Sequence, residues 1–250
     1  MASWDLAGRT ALVTGASGGL GEHFATILAG AGAHVILAAR RVERLEAVAA
    51  HITQAGGSCS TVRVDLAKTG EIEALAPMVR ELDILVNNAG IARDGRALDQ
   101  SEEDWDVVID TNLKALFLMA QQAARAMKAH GRGGSIINIA SILGLRQANG
   151  LLPYAVSKAG AIQMTKTLAL ELARYDIRVN ALAPGYFDTE LNHELWDTDA
   201  GKALIRHIPQ RRLGRLEDLD GPLLLLASDA SKYMTGTVLA VDGGHLVSSL

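Results

Sequence analysis

Tyr154 and Lys158 stand four residues apart in Tyr154-Ala155-Val156-Ser157-Lys158, a spacing that sets a phenol and an ammonium on one face of a helix. A phenol with an ordinary pKa near ~10 exchanges protons poorly at neutral pH. A neighbouring cation stabilises phenolate, so Lys158 is expected to lower the Tyr154 pKa and make the pair an acid/base site. Tyr and Lys also meet at this spacing on many solvated helices, so the pair needs company to mean chemistry. Ser141 lies thirteen residues before Tyr154 and offers a hydroxyl, although a serine there could equally cap a turn. Asn112 falls inside a long helical stretch, where asparagine is a weak helix former with a polar group to satisfy.

A second constellation sits near the N-terminus. Thr10 to Thr14 reads as a short buried strand, Gly15-Ala16-Ser17-Gly18-Gly19-Leu20-Gly21 follows, and a helical run extends from Glu22 to about Leu28. Glycines let the backbone approach a pyrophosphate, and amides at a helix start direct positive dipole toward it. The string Thr14-Gly15-x-x-x-Gly19-x-Gly21 is more distinctive than a lone G-x-G-x-x-G, and a plain turn explains it poorly once strand and helix flank it.

The elements that must position these groups alternate along the chain. Besides Thr10 to Thr14, His34 to Ala39, Thr61 to Val64, Asp83 to Asn87, Ser135 to Ile139, Ile177 to Ala183 and Val238 to Val241 read as strands. Arg41 to Gln54, Thr69 to Glu81, Ser101 to Ala129, Tyr154 to Arg174 and Glu217 to Ala227 read as helices. Alternation of this kind calls for an α/β fold, a parallel sheet with helices on both faces, whose ligands bind at the carboxyl ends of the strands. No linker or repeat interrupts the 250 residues, so one domain is expected over 1–250, with a cofactor half to about 140 and a catalytic and substrate-loop half from about 141.

Bulk properties exclude several function classes. A net charge of −4 gives no electrostatic reason to expect nucleic acid. Cys59 is the only cysteine and the seven histidines lack ligand spacing, so neither a disulfide framework nor a metal site is expected. The first residues lack a basic region followed by an apolar run, and no apolar stretch approaches membrane-spanning length, so cytoplasmic residence without membrane attachment is expected.

The glycine string, Asn87-Asn88-Ala89-Gly90, Ser141 and Tyr154-x-x-x-Lys158 occur in one order at one set of distances, and in this the chain resembles the short-chain dehydrogenase/reductase family. The likeness runs from Leu6-Ala7-Gly8-Arg9 through Asp65, Asn112, Arg178-Val179-Asn180 and Pro184-Gly185 to Val241-Asp242-Gly243-Gly244. One departure is a shorter span between Asp65 and Asn87, which should trim the intervening helix. The resemblance implies a Rossmann-type, doubly wound, seven-stranded parallel sheet and a catalytic group of Asn112, Ser141, Tyr154 and Lys158. Tyr154 would exchange a proton with a carbonyl or alcohol oxygen, Ser141 hold that oxygen, Lys158 also bind the nicotinamide ribose, and Asn112 bend its helix and hold a water relay to the lysine.

It also implies cofactor contacts at Gly15, Ser17, Gly19, Leu20, Gly21, Asp65, Leu66, Asn87, Ala89, Gly90, Pro184, Gly185, Phe187 and Thr189. Asp65 would meet the adenine amino group, with turn capping as its rival. Asn87 to Gly90 would close over the adenosine ribose, with sheet-end bracing as the rival. Phe187 and Thr189 belong to the segment that would hold the nicotinamide carboxamide. Ala39 stands where NAD-preferring members carry aspartate, and Arg40 and Arg41 follow, so NADP is favoured over NAD; the arginines could instead pair with Glu43 or Glu46, and Gly18 lacks the base of many NADP users.

The substrate pocket should form from Ile142 to Leu152 and from Tyr186 to about Arg212, with Leu143, Leu151, Tyr186, Leu191, Leu195 and Trp196 as walls and Asn149 and His193 as polar contacts. A mostly apolar wall suggests a small-molecule ketone or secondary alcohol with apolar substituents. The alternatives are a 3-oxoacyl-thioester reductase, for which Arg206, Arg211, Arg212 and Arg215 could face an acidic carrier, and a dinucleotide sensor without turnover. Ala115, Leu116, Leu118, Met119, Ala159, Ile162, Met164 and Leu168 spread over more than one helix face, so a homotetramer is expected, with Leu246 to Leu250 at an interface.

Overall fold

In the structure, a computed structural model, residues 4–189 and 196–248 are described. Seven strands join one parallel sheet in the order β3-β2-β1-β4-β5-β6-β7: β1 Thr10–Thr14, β2 His34–Ala39, β3 Ser58–Arg63, β4 Ile84–Asn87, β5 Gly134–Ile139, β6 Ile177–Pro184 and β7 Val238–Val241. The five inner strands are apolar runs buried on both faces, and the two edge strands are only partly covered. After β1 the chain builds outward to β3 and then returns to place β4 on the other side of β1. That reversal opens a crevice at the carboxyl ends of β1 and β4.

Helices cover the sheet from both sides. On one face Phe24 and Leu28 of α1 (Gly19–Gly30), Leu45, Val48 and Ile52 of α2 (Val42–Gln54) and Leu223 and Leu226 of the helix Asp220–Ala227 form one core. On the other face α3 (Thr69–Glu73), α5 (Ala115–His130) and α6 (Leu152–Leu172) bury Ile72, Ala115, Met119, Ala123, Met127 and Ala169. α4 spans Glu102–Ile109, with the Ser101 hydroxyl accepting from the Asp104 amide as its N-cap. The remaining helices are α7 (Asp199–His207) and α8 (Asp220–Ala227). No helix among the described residues is long and apolar enough to cross a membrane.

Several boundaries differ from those expected of the sequence, each for a local reason. β3 begins at Ser58 rather than Thr61: its first residues are polar edge positions, where the His34 ring bonds the Ser58 and Ser60 hydroxyls at 2.8 and 3.1 Å. The helix expected to reach Glu81 stops at Glu73, because Pro77 lacks an N–H and its ring would clash with the carbonyl four residues earlier. The long helix expected over 101–129 is interrupted by a π-helical turn, Asp110–Lys114, with Asn112 at its centre. α7 lies in a stretch for which the sequence suggests only loop.

The apolar helix residues expected to mark an assembly surface need correction: Ala115, Leu116, Met119 and Ile162 are buried within the chain itself. Ala159 of that set is exposed, and the large exposed apolar residues of α4 to α6 are Trp105, Phe117, Leu152, Val156 and Leu170. Of the C-terminal segment expected at an interface, Ser249 and Leu250 lie outside the described residues.

Polar bonds lock the carboxyl end of β5 between the core helices. Buried Asn138 accepts from Asn87 Nδ2 at 3.0 Å and donates to Thr165 Oγ1 on α6 at 2.9 Å. Asn138→Ala strips a partner from two buried groups and should lower stability by about 1–3 kcal/mol. Urea denaturation with an unchanged midpoint would contradict this.

Candidate active site

The glycine loop departs from β1 with Gly15 and Gly19 in the left-handed region, at φ 68° and 55°. Gly15 and Ala16 amides bond the Ala38 carbonyl at 2.8 and 3.3 Å, tying the loop to β2. Gly21 admits no side chain, since a Cβ there would come within 2.6 Å of Asn88 Nδ2. Thr14 Oγ1 accepts from the amides of Asn88 and Ala89 at 2.9 and 3.0 Å, so the β1 and β4 loops are joined across the crevice. Gly18 is the N-cap of α1, so no side chain caps its first amides. Close backbone packing and uncapped amides fit a dinucleotide pyrophosphate.

Arg41 lies over this loop rather than on Glu43 or Glu46. Its Nη2 donates to the Ser17 carbonyl and hydroxyl at 3.1 and 3.0 Å, and its Nε to the hydroxyl at 3.3 Å. Arg40 is exposed, with no ion pair among the described residues. A Cβ on Gly18 would stand 3.4 Å from Arg41 Nη2, so Arg41 supplies a cation where Gly18 lacks one.

Other expected cofactor residues divide between contact and support. The Asn87 Nδ2 donates to the Leu116 carbonyl at 3.2 Å as well as to Asn138, so bracing engages the nitrogen of its side-chain amide. Asp65 Oδ1 accepts from the Ala67 amide at 3.2 Å, the turn-capping alternative. Leu66 packs partly against the core, as does Leu20 on the opposite face. The Phe187 ring is buried in the core against Gly214, where a Cβ would lie 2.6 Å from Phe187 Cζ. Pro184 ends β6, Gly185 packs on Asp242, and Thr189 follows, partly buried.

The catalytic candidates converge at the ends of β4 and β5. Lys158 is 4 % exposed, and its Nζ donates to the Ile139 carbonyl at 2.8 Å. Gly90 leaves room beside it, for a Cβ there would stand 3.4 Å from both Lys158 Nζ and Asn112 Oδ1. Asn112 clasps Ile91, accepting its amide and donating to its carbonyl, both at 2.8 Å, and donates to Ser157 Oγ at 3.1 Å. Ser157 Oγ in turn donates to the Tyr154 carbonyl at 2.7 Å. Asn112 is fully buried within the π turn, a feature frequent at functional sites.

Ser141 serves twice. Its Oγ accepts from the Leu143 amide at 3.1 Å, capping the 3₁₀ turn Ile142–Gly144, and the hydroxyl is near enough to the Tyr154 phenol to draw its pKa down. Gly144 lets the turn press on α6, since a Cβ there would meet the Lys158 carbonyl at 2.8 Å.

The expected electrostatics of Tyr154 are corrected. Burial pushes its pKa above the ordinary value, the Ser141 hydrogen bond opposes that rise, and the phenol of Tyr186 adds to it. Lys158 Nζ stands 5.5 Å from the Tyr154 ring centroid and is engaged by Ile139. Its own burial brings its pKa down to about 8, so it is a weakened cation.

The pocket walls are more polar than anticipated. Tyr186 meets Trp196 edge to face at 5.8 Å and the His245 ring at 5.6 Å. Leu143 is buried, Leu151 pairs with Gly95, and Leu152 and Asn149 are exposed. Leu191, His193 and Leu195 lie outside the described residues. His245 and Arg146, which reaches it, went unrecognised in the sequence: they are 99 positions apart and share no spacing signal.

Known proteins resemble this chain over nearly its whole length. Residues 15–245 match the family described as enoyl-(acyl carrier protein) reductase. A 3-oxoacyl-(acyl-carrier-protein) reductase of Rickettsia bellii strain RML369-C is 42% identical over 97% of this chain and 99% of its own length. A 2-dehydro-3-deoxy-D-gluconate 5-dehydrogenase of Escherichia coli strain K12 is 40% identical over 98% of each. The crystal structure of a gluconate 5-dehydrogenase from Burkholderia cenocepacia J2315 in complex with NADP and tartrate superposes with a TM-score of 0.94 at 36% identity, covering 99% of this chain and 98% of that one.

The depressed Lys158 pKa has a thermodynamic consequence. Below about pH 8 the ammonium is charged in both folded and unfolded chains, and its burial penalty is fully present. Between about pH 8 and 10.5 the folded protein releases this proton first, so the unfolded state binds more protons and stability rises. The stability difference between wild type and Lys158→Met should therefore grow in favour of wild type by about 3 kcal/mol across that window. A pH-independent difference would contradict the buried ammonium.

Proposed function

The chain belongs to the short-chain dehydrogenase/reductase family and is an NAD(P)-dependent oxidoreductase working between CH–OH and C=O; on that premise we propose that it reduces a small ketone with NADPH through Tyr154. The observation that carries the reading is the buried Ser141–Tyr154–Lys158 constellation at the ends of β4 and β5. The dinucleotide supplies the hydride. Ser141 holds the substrate oxygen beside the phenol, and Tyr154 gives that oxygen a proton as negative charge develops on it. Burial keeps Tyr154 protonated at neutral pH, which favours reduction; oxidation needs phenolate and gains on the alkaline side.

In this reading residues to about 140 hold the cofactor and the remainder holds substrate. Arg40, beside the Arg41–Ser17 contact, supports NADP over NAD. Trp105, Phe117, Val156 and Leu170 support assembly through α4 to α6 into a homotetramer, and residence is in the cytoplasm. The complete catalytic group speaks against a sensor without turnover. A 3-oxoacyl thioester is the second reading, favoured by the Rickettsia relative. Of the four arginines that would face an acidic carrier, all are exposed, and Arg212 is paired with both oxygens of Asp218.

Tyr154→Phe should retain cofactor affinity while kcat falls at least ~10²-fold; comparable turnover would overturn the mechanism. Arg40→Ala should raise KM for NADPH at least ~10-fold, about 1.4 kcal/mol, with little effect on NADH. A wild-type preference for NADH would reverse the cofactor assignment.

A further inference from the structure

The 3₁₀ turn that carries Ser141 also carries Arg146, whose amide bonds the Ile142 carbonyl at 2.9 Å. Gly144 clamps this turn on α6, so the two residues are held at a set separation on one rigid piece of backbone. Arg146 is partly buried and forms no ion pair with any carboxylate among the described residues. Its Nη1 donates to the His245 carbonyl and, at 3.5 Å, to Ser248 Oγ. Nε and Nη2 make no hydrogen bond to the described residues, which leaves donors of a planar fork unused.

His245 stands beside it, 7 % exposed, with a buried Nδ1 that lacks any hydrogen-bond partner among the described residues. An unsatisfied buried ring nitrogen costs about 1–3 kcal/mol unless a ligand or water engages it. Its ring faces Tyr186, and Tyr186 is close enough to Tyr154 to affect its proton affinity electrostatically. A positive fork and a buried, unpartnered imidazole nitrogen therefore lie on the Tyr186 side of the catalytic group. Burial and Arg146 hold His245 below its ordinary pKa, so the imidazole is neutral and either nitrogen can carry its one hydrogen.

We infer that Arg146 and His245 form a carboxylate subsite, and that the substrate is an oxo acid or hydroxy acid whose carboxylate lies a few carbons from the reacting centre. The inference rests on the oxidoreductase reading above and narrows its substrate from a ketone with apolar substituents to an anionic one. Arg146 offers the bidentate geometry that carboxylates accept, and a partly buried site strengthens the pairing. His245 adds a directional hydrogen bond that a neutral ester would satisfy poorly.

The test compares acetoacetate, 4-oxopentanoate and 5-oxohexanoate with their methyl esters, using NADPH. At least one acid should exceed its ester in kcat/KM by ~10-fold or more, through KM. Arg146→Ala should collapse that ratio to within ~2-fold. Because Arg146 also anchors the His245 backbone, His245→Phe provides a second arm: it keeps the ring against Tyr186 and the carbonyl for Arg146 but removes Nδ1, and should raise KM for the acid ~3-fold or more while sparing kcat. Esters matching acids in the wild type, or variants that lower acid and ester turnover in parallel, would overturn the subsite and leave the reductase reading in place. Calorimetric titration of 4-oxopentanoate into the protein with NADP⁺ gives a readout apart from turnover. Heat is expected in wild type and not in Arg146→Ala, and no heat in wild type would reject the subsite even if esters are reduced.

Discussion

The hydrogen bond from Lys158 Nζ to the Ile139 carbonyl is the constraint on which the site depends. It joins α6 to the end of β5 across the core, and it places a desolvated ammonium where a sheet strand ends. Burying that group is costly, as its pKa near 8 records. The compensation is positional. With Lys158 pinned, Tyr154 one turn earlier has a fixed place relative to β5, and the 3₁₀ turn that follows β5 has a fixed helix to press upon. Gly144 and Gly90 then matter for the same reason: each is small where backbone or side chain must come close to Lys158.

The surrounding polar network transmits this placement through the fold. Thr14 joins the β1 and β4 loops, Asn87 and Asn138 join β4 to β5, and Thr165 ties both to α6. Asn112 adds the link from the π turn to Ile91 and Ser157. These buried groups satisfy one another, so the arrangement is rigid and a shift of one member disturbs several. Among the described residues, the buried side-chain atoms without partners are those of the Gln100 amide and His245 Nδ1, of which the second adjoins Tyr186. Rigid support thus surrounds the reacting groups, while unused hydrogen-bonding capacity sits beside Tyr186.

Legibility in the sequence followed the physics of each element. The inner strands were readable because burial on both faces demands apolar runs, and the glycine loop because Gly15 and Gly21 have steric reasons to be glycine. The start of β3 was hidden by serines, which suit an exposed edge but resemble a turn. Thr69 to Glu81 had helical period, yet Pro77 prevails over periodicity. The Asn112 irregularity was visible as a poor helix former, but the π turn that resolves it was not. Tertiary facts were the hardest: Phe187 turned into the core, Arg41 lay on Ser17, and Arg146 met His245 from the far end of the chain. The balance that sets the Tyr154 proton was also hidden, because desolvation belongs to the folded state.

That balance is open to direct observation. With [¹³Cζ]tyrosine incorporated, the resonance absent from Tyr154→Phe identifies Tyr154 among the four tyrosines, and its titration in the free protein reports its proton affinity. A buried phenol restrained by the Ser141 hydrogen bond should titrate above the ordinary value near ~10, and higher still in Ser141→Ala. Titration below the ordinary value, or a fall on removing the Ser141 hydroxyl, would contradict the account of how this fold holds its proton donor.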